Sequence, residues 1–248
     1  MGKRILVQRR GKGGTQFRAP KVGKLADARY PRLPLSDTYE AMVKDIVHER
    51  GRSEPLAKIS LKNSKSEIFY IPAVKGLEVG QSILLGPNAP LQAGNILPLY
   101  KIPEGTIICN IEKNFGDGGK LVKSSGTSAT LVSHTERGAL ITLPSGKSLY
   151  VNEKCRATIG QIAGGGRDEK PFLKAGNRYH LMRAKGRKYP IPKGVAMAAV
   201  YHPFGGAYKK KKYKTVSRNA PPGAKVGHIA AKQTGRKKAR RKVTEVIK

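Results

Sequence analysis

Acidic side chains are missing from much of this chain. Between Glu169 and Glu245 no aspartate or glutamate occurs in 75 residues, yet 22 lysines and arginines lie there, and eight bases precede the first acid, Asp27. Residues 27–169 hold 18 bases against 15 acids, so of the formal net charge of +33 about +30 sits at the two ends. These ends are mostly Lys, Arg, Gly, Pro and Ala, too poor in apolar surface to offset roughly 1–2 kcal/mol of backbone entropy per ordered residue. The expectation is that they take shape only against a polyanionic partner.

Other absences narrow the function. Cysteine is limited to Cys109 and Cys155, with no Cys or His nearby at ligand spacing, which excludes a disulfide framework and a zinc site and fits a reducing compartment. Near the N-terminus the longest apolar run is Ile5-Leu6-Val7, short of the roughly 7–15 residues of a secretory signal, and nothing approaches the roughly 18 of a membrane-spanning helix. The basic ends also lack large apolar residues spaced on one helical face, so an anionic membrane surface is a poor partner. A soluble, cytoplasmic protein is expected.

Catalytic constellations are absent as well. The acid-free region has no paired carboxylates, no Gly-x-Ser-x-Gly elbow occurs, and Cys155 has no His or Asp companion in sequence. The run from Gly160 to Gly166 lacks the Gly-Lys-Ser/Thr ending of a triphosphate loop, and Pro171 opposes the helix that should follow. The sequence therefore reads as a non-enzyme without a nucleotide cofactor or resident metal, although magnesium ions bridging to RNA are compatible with it.

What is present points to nucleic acid. Lysines and arginines that neutralise phosphates release condensed counterions, and ten engaged phosphates would give a log–log salt slope of about −7 to −9. One lysine run is readily a solvated tail; two acid-free ends are not. Glycines and flat side chains (Tyr179, His180, Tyr189, Tyr201, His202, Phe204, Tyr208, Tyr213) are interleaved with the bases. Glycine lets backbone amides approach a sugar-phosphate strand and rings stack on unpaired bases, which favours RNA over duplex DNA. Two rivals remain. A DNA-packaging protein should bind duplex DNA regardless of its fold, and an RNA-modifying enzyme should need a pocket of convergent polar groups around a residue such as His202.

Along the chain, residues 1–35 read as an extended arm, with Pro20, Pro31 and Pro34 interrupting any helix. Tyr39, Met42, Val43, Ile46 and Val47 follow helical spacing, yet a buried strand is equally open. From Leu56 onward short apolar runs alternate with Gly and Pro, as at Ile68-Phe69-Tyr70-Ile71 and Ser82-Ile83-Leu84-Leu85, and suggest a small barrel. A second group from Thr106 to Ile159, with a hairpin turn at Pro144-Ser145-Gly146, suggests another.

Eight motifs then occur in one family's order: Asn95 to Leu99, Pro103 to Ile107, Gly116-Asp117-Gly118-Gly119, Leu143 to Gly146, Ile162 to Arg167, Leu173 to Gly176, Gly194 to Met197, and Gly227 to Ala231. On these the chain resembles the universal large-subunit ribosomal protein two family, in its archaeal and eukaryotic form. The resemblance implies an all-β protein: an oligonucleotide-binding-type barrel at 36–90, an SH3-like barrel at 91–190, and basic arms at 1–35 and 191–248. It makes Met42 to His48 a strand. It also implies binding of large-subunit ribosomal RNA near the peptidyl-transferase region, neighbouring ribosomal proteins as partners, and support of subunit joining with a small-subunit contact open to it. In the family a loop Asn-Pro-Val-Asp-His-Pro-His-Gly-Gly-Gly carries the histidine matching His202. Here Ala198 to Ala207 lacks the preceding Asp, the second His and the last Gly, so no chemistry in which that Asp orients the histidine applies.

The expected RNA contacts are Arg4, Arg9, Arg10, Lys12 and Arg18 in the first arm and Gly164, Gly165, Gly166 and Arg167 in the glycine loop. Beyond it come Arg178, Arg183, Arg187, His202, Lys209, Lys210, Arg218, His228, Arg236, Lys237 and Arg240. Arginines lead because a guanidinium bridges phosphates bidentately or stacks on a base.

Overall fold

Alternation of apolar and polar side chains drives the middle of the chain into sheet. The computed structural model describes residues 2–62, 68–206 and 215–232. Ten strands run as β1 (Tyr39–Val47), β2 (Leu56–Leu61), β3 (Ile68–Pro72), β4 (Ser82–Leu85), β5 (Ile96–Pro98), β6 (Ile107–Cys109), β7 (Ala129–Thr135), β8 (Gly138–Thr142), β9 (Ser148–Val151) and β10 (Arg156–Ile159). Across the sheet they lie in the order β3-β2-β1-β4-β5-β10-β6-β7-β8-β9. The β4–β5 pairing is parallel, through Leu85 and Ile96, and it joins two halves with separate interiors. One half packs Val43, Ile59, Ile71 and Ile83; the other packs Leu97, Leu99, Ile108, Leu131 and Ile141. The fold class is the expected all-β one, with β1–β4 in one half and β5–β10 in the other.

The ambiguous segment is strand β1, and its helical spacing has a local cause. Ala41 and Val43 face the interior, then the register against β2 shifts between Val43 and Asp45. That bulge interrupts the period of two, so apolar residues recur at intervals that imitate a helix turn.

The chain divides into two compact units. The β unit comprises residues 23–171 and contains all ten strands. The terminal unit comprises 2–22 with the described part of 172–232, and holds α1 (Leu6–Gly11), α2 (Ala175–Ala184) and the short parallel pair β11 (Thr215–Val216) and β12 (His228–Ile229). Its described residues bury only three apolar side chains, Ile5, Ala184 and Val226.

Two stretches differ from the expected arms. Residues 23–35 belong to the β unit, where Tyr30 is 4% exposed. Its hydroxyl donates to the Asn110 carbonyl oxygen at 2.6 Å and lies 2.6 Å from Thr158 Oγ1, while Arg156 Nη1 donates to the Pro31 carbonyl at 2.9 Å. A buried tyrosine with a satisfied hydroxyl anchors this segment although bases and prolines surround it in sequence. The other stretch is Leu6–Gly11, expected to be extended and found as a short helix. Gln8 Oε1 accepts the Ile5 N–H at 3.0 Å there, satisfying an otherwise orphaned donor.

Helix α2, which falls inside the segment assigned to the second barrel, belongs to the terminal unit. It ends in a two-bond cap: the Gly186 N–H donates to the Arg183 carbonyl at 3.1 Å and the Arg187 N–H to the Met182 carbonyl at 2.8 Å. Gly186 takes φ of 64° to close this cap, and a Cβ there would lie 2.6 Å from the Ala19 nitrogen. Only glycine permits both.

Candidate nucleic-acid interface

Within the β unit, bases meet carboxylates. Glu49 bonds Lys24 at 2.9 Å and Arg52 at 3.0 Å, and Arg52 reaches Glu54 at 3.1 Å. Burial alone would raise the Glu49 pKa, but the hydrogen bonds from Lys24 and Arg52 outweigh it and hold the carboxyl below its ordinary value. Deeper still, Glu112 is fully buried and accepts from Arg156 Nη2 at 2.8 Å, the Arg156 N–H at 2.9 Å and the Gly118 N–H at 3.0 Å. Lys123 donates to the carbonyls of Ala28 and Gly119; burial, reinforced by Arg52 and Lys120, lowers its pKa to about 8.

The terminal unit has no such compensation, because residues 2–22 and 172–232 contain no carboxylate side chain. Arg4, Arg9, Arg10 and Lys12 are exposed on and around α1. Arg18 is exposed too, its Nε donating to the Gly13 carbonyl at 2.6 Å. Arg178 and Arg183 project from α2, followed by Arg187, all exposed. Arg178 stacks over the Tyr189 ring at 5.3 Å, and Lys3 over Tyr201 at 5.2 Å. Arg218 is exposed after β11, and His228 is exposed on β12. Lys209, Lys210, Arg236, Lys237 and Arg240 lie outside the described residues, as do Tyr208 and Tyr213.

His202 is half-buried and its ring is held in place. Its Nδ1 accepts the Phe204 N–H at 3.0 Å, its ring meets Phe204 edge-on at 5.2 Å, and a Cβ on Gly194 would lie 2.3 Å from its Cε1. With Nδ1 accepting, the neutral ring carries its proton on Nε2, which makes that nitrogen a hydrogen-bond donor. No carboxylate of its unit is available to orient it as a base.

The glycine loop belongs to the β unit. Gly164, Gly165, Gly166 and Arg167 are exposed, with Gly165 packed against Gly126 so closely that a Cβ on Gly126 would lie 2.6 Å from its Cα. Arg167 donates to Ser125 Oγ at 3.0 Å and lies 3.4 Å from the exposed Asp168 carboxylate. Gly165 thus serves an internal contact, and Arg4, Arg9, Arg10 and Arg18 share a unit with α2 but not with this loop. Sequence reasoning missed Lys3, Lys188 and Gly186. Ranking arginines first hid the two lysines, and Gly186 was readable as the stop after Ala175 to Ala184.

Nucleophilic chemistry finds no support. Cys109 and Cys155 are buried, and burial pushes both thiols up to about 12. Among the described residues no three His, Cys, Asp or Glu side chains gather as metal ligands.

A β body whose carboxylates meet bases at Glu49, Glu54 and Glu112 and a carboxylate-free cationic unit set with aromatic faces define a protein that binds a polyanion. The family model for ribosomal proteins L2, C-terminal domain, matches residues 92–239. The chain is 51% identical over 239 residues to the large ribosomal subunit protein uL2 of Nitrosopumilus maritimus, covering 95% of this chain and 97% of the relative. It is 53% identical over 241 residues to that of Ignicoccus hospitalis, covering 95% of each, and 50% identical over 238 residues to that of Halorubrum lacusprofundi, covering 95% of this chain and 98% of the relative. The chain belongs to the ribosomal protein L2 family.

Proposed function

We propose that this protein is a structural constituent of the large ribosomal subunit that binds and stabilises large-subunit ribosomal RNA near the peptidyl-transferase region, supports subunit association, and works in the cytoplasm without catalysing a reaction. The observation that carries this reading is the charge segregation: carboxylates neutralise bases in the β unit, whereas the terminal unit has none. Family membership supports the ribosomal setting. Phosphates would supply the missing negative charge, and lysines and arginines would screen repulsion where RNA segments approach each other.

Crosslinking the protein in cells and sequencing the attached RNA tests the reading. Large-subunit ribosomal RNA should dominate, and in vitro structured ribosomal RNA should outcompete duplex DNA at matched salt. Equal competition by duplex DNA would favour a DNA-packaging role. A turnover abolished by His202→Ala would overturn the non-enzyme reading.

A further inference from the structure

A cavity of about 750 Å³ opens within the terminal unit, lined by Arg18 on one side and by Tyr179, Arg183, Arg187, Lys188 and Tyr189 on the other. Its size falls in the range of roughly 300–1,000 Å³ typical of pockets for small ligands. The close approach of Gly186 to residues 17–19 brings the two walls together. Four cations line it and no carboxylate exists in the unit to answer them. Arg183, Arg187 and Lys188 make no side-chain hydrogen bond or ion pair with another described residue.

Cations alone would suit any phosphate. Two tyrosines beside Ala19 and Pro20 add flat and apolar surface, and Arg178, which is not part of the lining, backs the Tyr189 ring at 5.3 Å. A base has a flat apolar face and polar edges, and its own phosphate brings the negative charge. A duplex cannot enter a concavity of this size with its bases, whereas a nucleotide splayed out of a loop or bulge can.

We infer that this cavity holds one unpaired nucleotide of the bound RNA, its base against Tyr179 and Tyr189 and its phosphate met by Arg18, Arg183 and Arg187. The inference rests on the RNA-binding reading above and deepens it. Base–aromatic stacking of this kind is worth about 1–3 kcal/mol per base, roughly 5- to 150-fold.

The test uses the full chain bound to large-subunit ribosomal RNA, with base-specific chemical probing of the RNA and hydroxyl-radical probing of its backbone run side by side. With the natural protein at least one unpaired base should be protected; the pair Tyr179→Leu and Tyr189→Leu should expose it about tenfold, and the pair Tyr179→Phe and Tyr189→Phe should keep it protected. Read with protein in enough excess to offset a roughly 5- to 150-fold loss of affinity, the backbone footprint should be the same in all three. A base pattern identical in the Leu pair and the natural protein overturns the inference and leaves the RNA-binding reading intact. Loss of the backbone footprint in the Leu pair also counts against it, because the rings are assigned to one base and not to docking. Absence of any footprint with the natural protein overturns both.

Discussion

The two units of this protein are held by different forces. The β unit folds a ten-stranded sheet over two apolar interiors and sets Glu49, Glu54 and Glu112 against its own bases. The terminal unit has two helices, a two-residue strand pair and, among its described residues, three buried apolar side chains, with no carboxylate at all. The first can be stable by burial alone at about 25 cal/mol per Å² of apolar surface; the second cannot offset its chain entropy that way. The contrast indicates that the terminal unit's shape is encoded for a surface the chain does not itself supply.

The sharpest way to break the comparison is to disturb the buried pair in the β unit. Glu112→Ala leaves the Arg156 guanidinium, 8% exposed, without its carboxylate, and should destabilise residues 23–171 by about 3–5 kcal/mol in urea unfolding. A cavity at Leu131 or Ile59, both fully buried, should cost about 2–5 kcal/mol as the alanine variant. Opposite behaviour is expected from the terminal unit. Arg183→Gln with Arg187→Gln should leave the urea midpoint of the β unit unchanged while flattening the log–log salt slope of RNA binding by about 0.7–0.9 for each phosphate no longer neutralised. If the midpoint moved and the slope did not, the division of labour would be wrong.

The smallest expected effect is on pH dependence. Lys123 titrates at about 8 when folded against 10.5 unfolded, so between pH 8 and 9 the unfolded chain holds the extra proton and stability should rise with pH. Above 9, Cys109 and Cys155 ionise in the unfolded chain but stay protonated when folded, up to about 12. Two protons then oppose one, and stability should fall. Urea midpoints of residues 23–171 across this window check both signs, and Lys123→Met should remove the rise.

The sheet was largely legible in the sequence because burial there follows a period of two with Gly and Pro between runs, as in Leu56 to Leu61. β1 was legible only through family resemblance, since its bulge erased the local period. Tyr30 was missed because one anchoring ring leaves no pattern, and α2 because a helix burying only Ala184 has no apolar stripe to detect. Charge segregation was plain from composition. Which cations share a unit was not: sequence put Arg18 in the first arm and Arg167, Arg178, Arg183 and Arg187 together in the segment 91–190, whereas folding puts Arg18, Arg183 and Arg187 around one cavity and Arg167 in the β unit.

Amide hydrogen exchange on the full chain, free and bound to large-subunit ribosomal RNA, tests the central claim most directly. Amides of β1, β2, β7 and β8 should be protected in both states, while those of α2 and of residues 2–22 should gain protection only in the complex. Equal protection of α2 in the free protein would contradict the account, because the terminal unit would then be holding its shape without RNA.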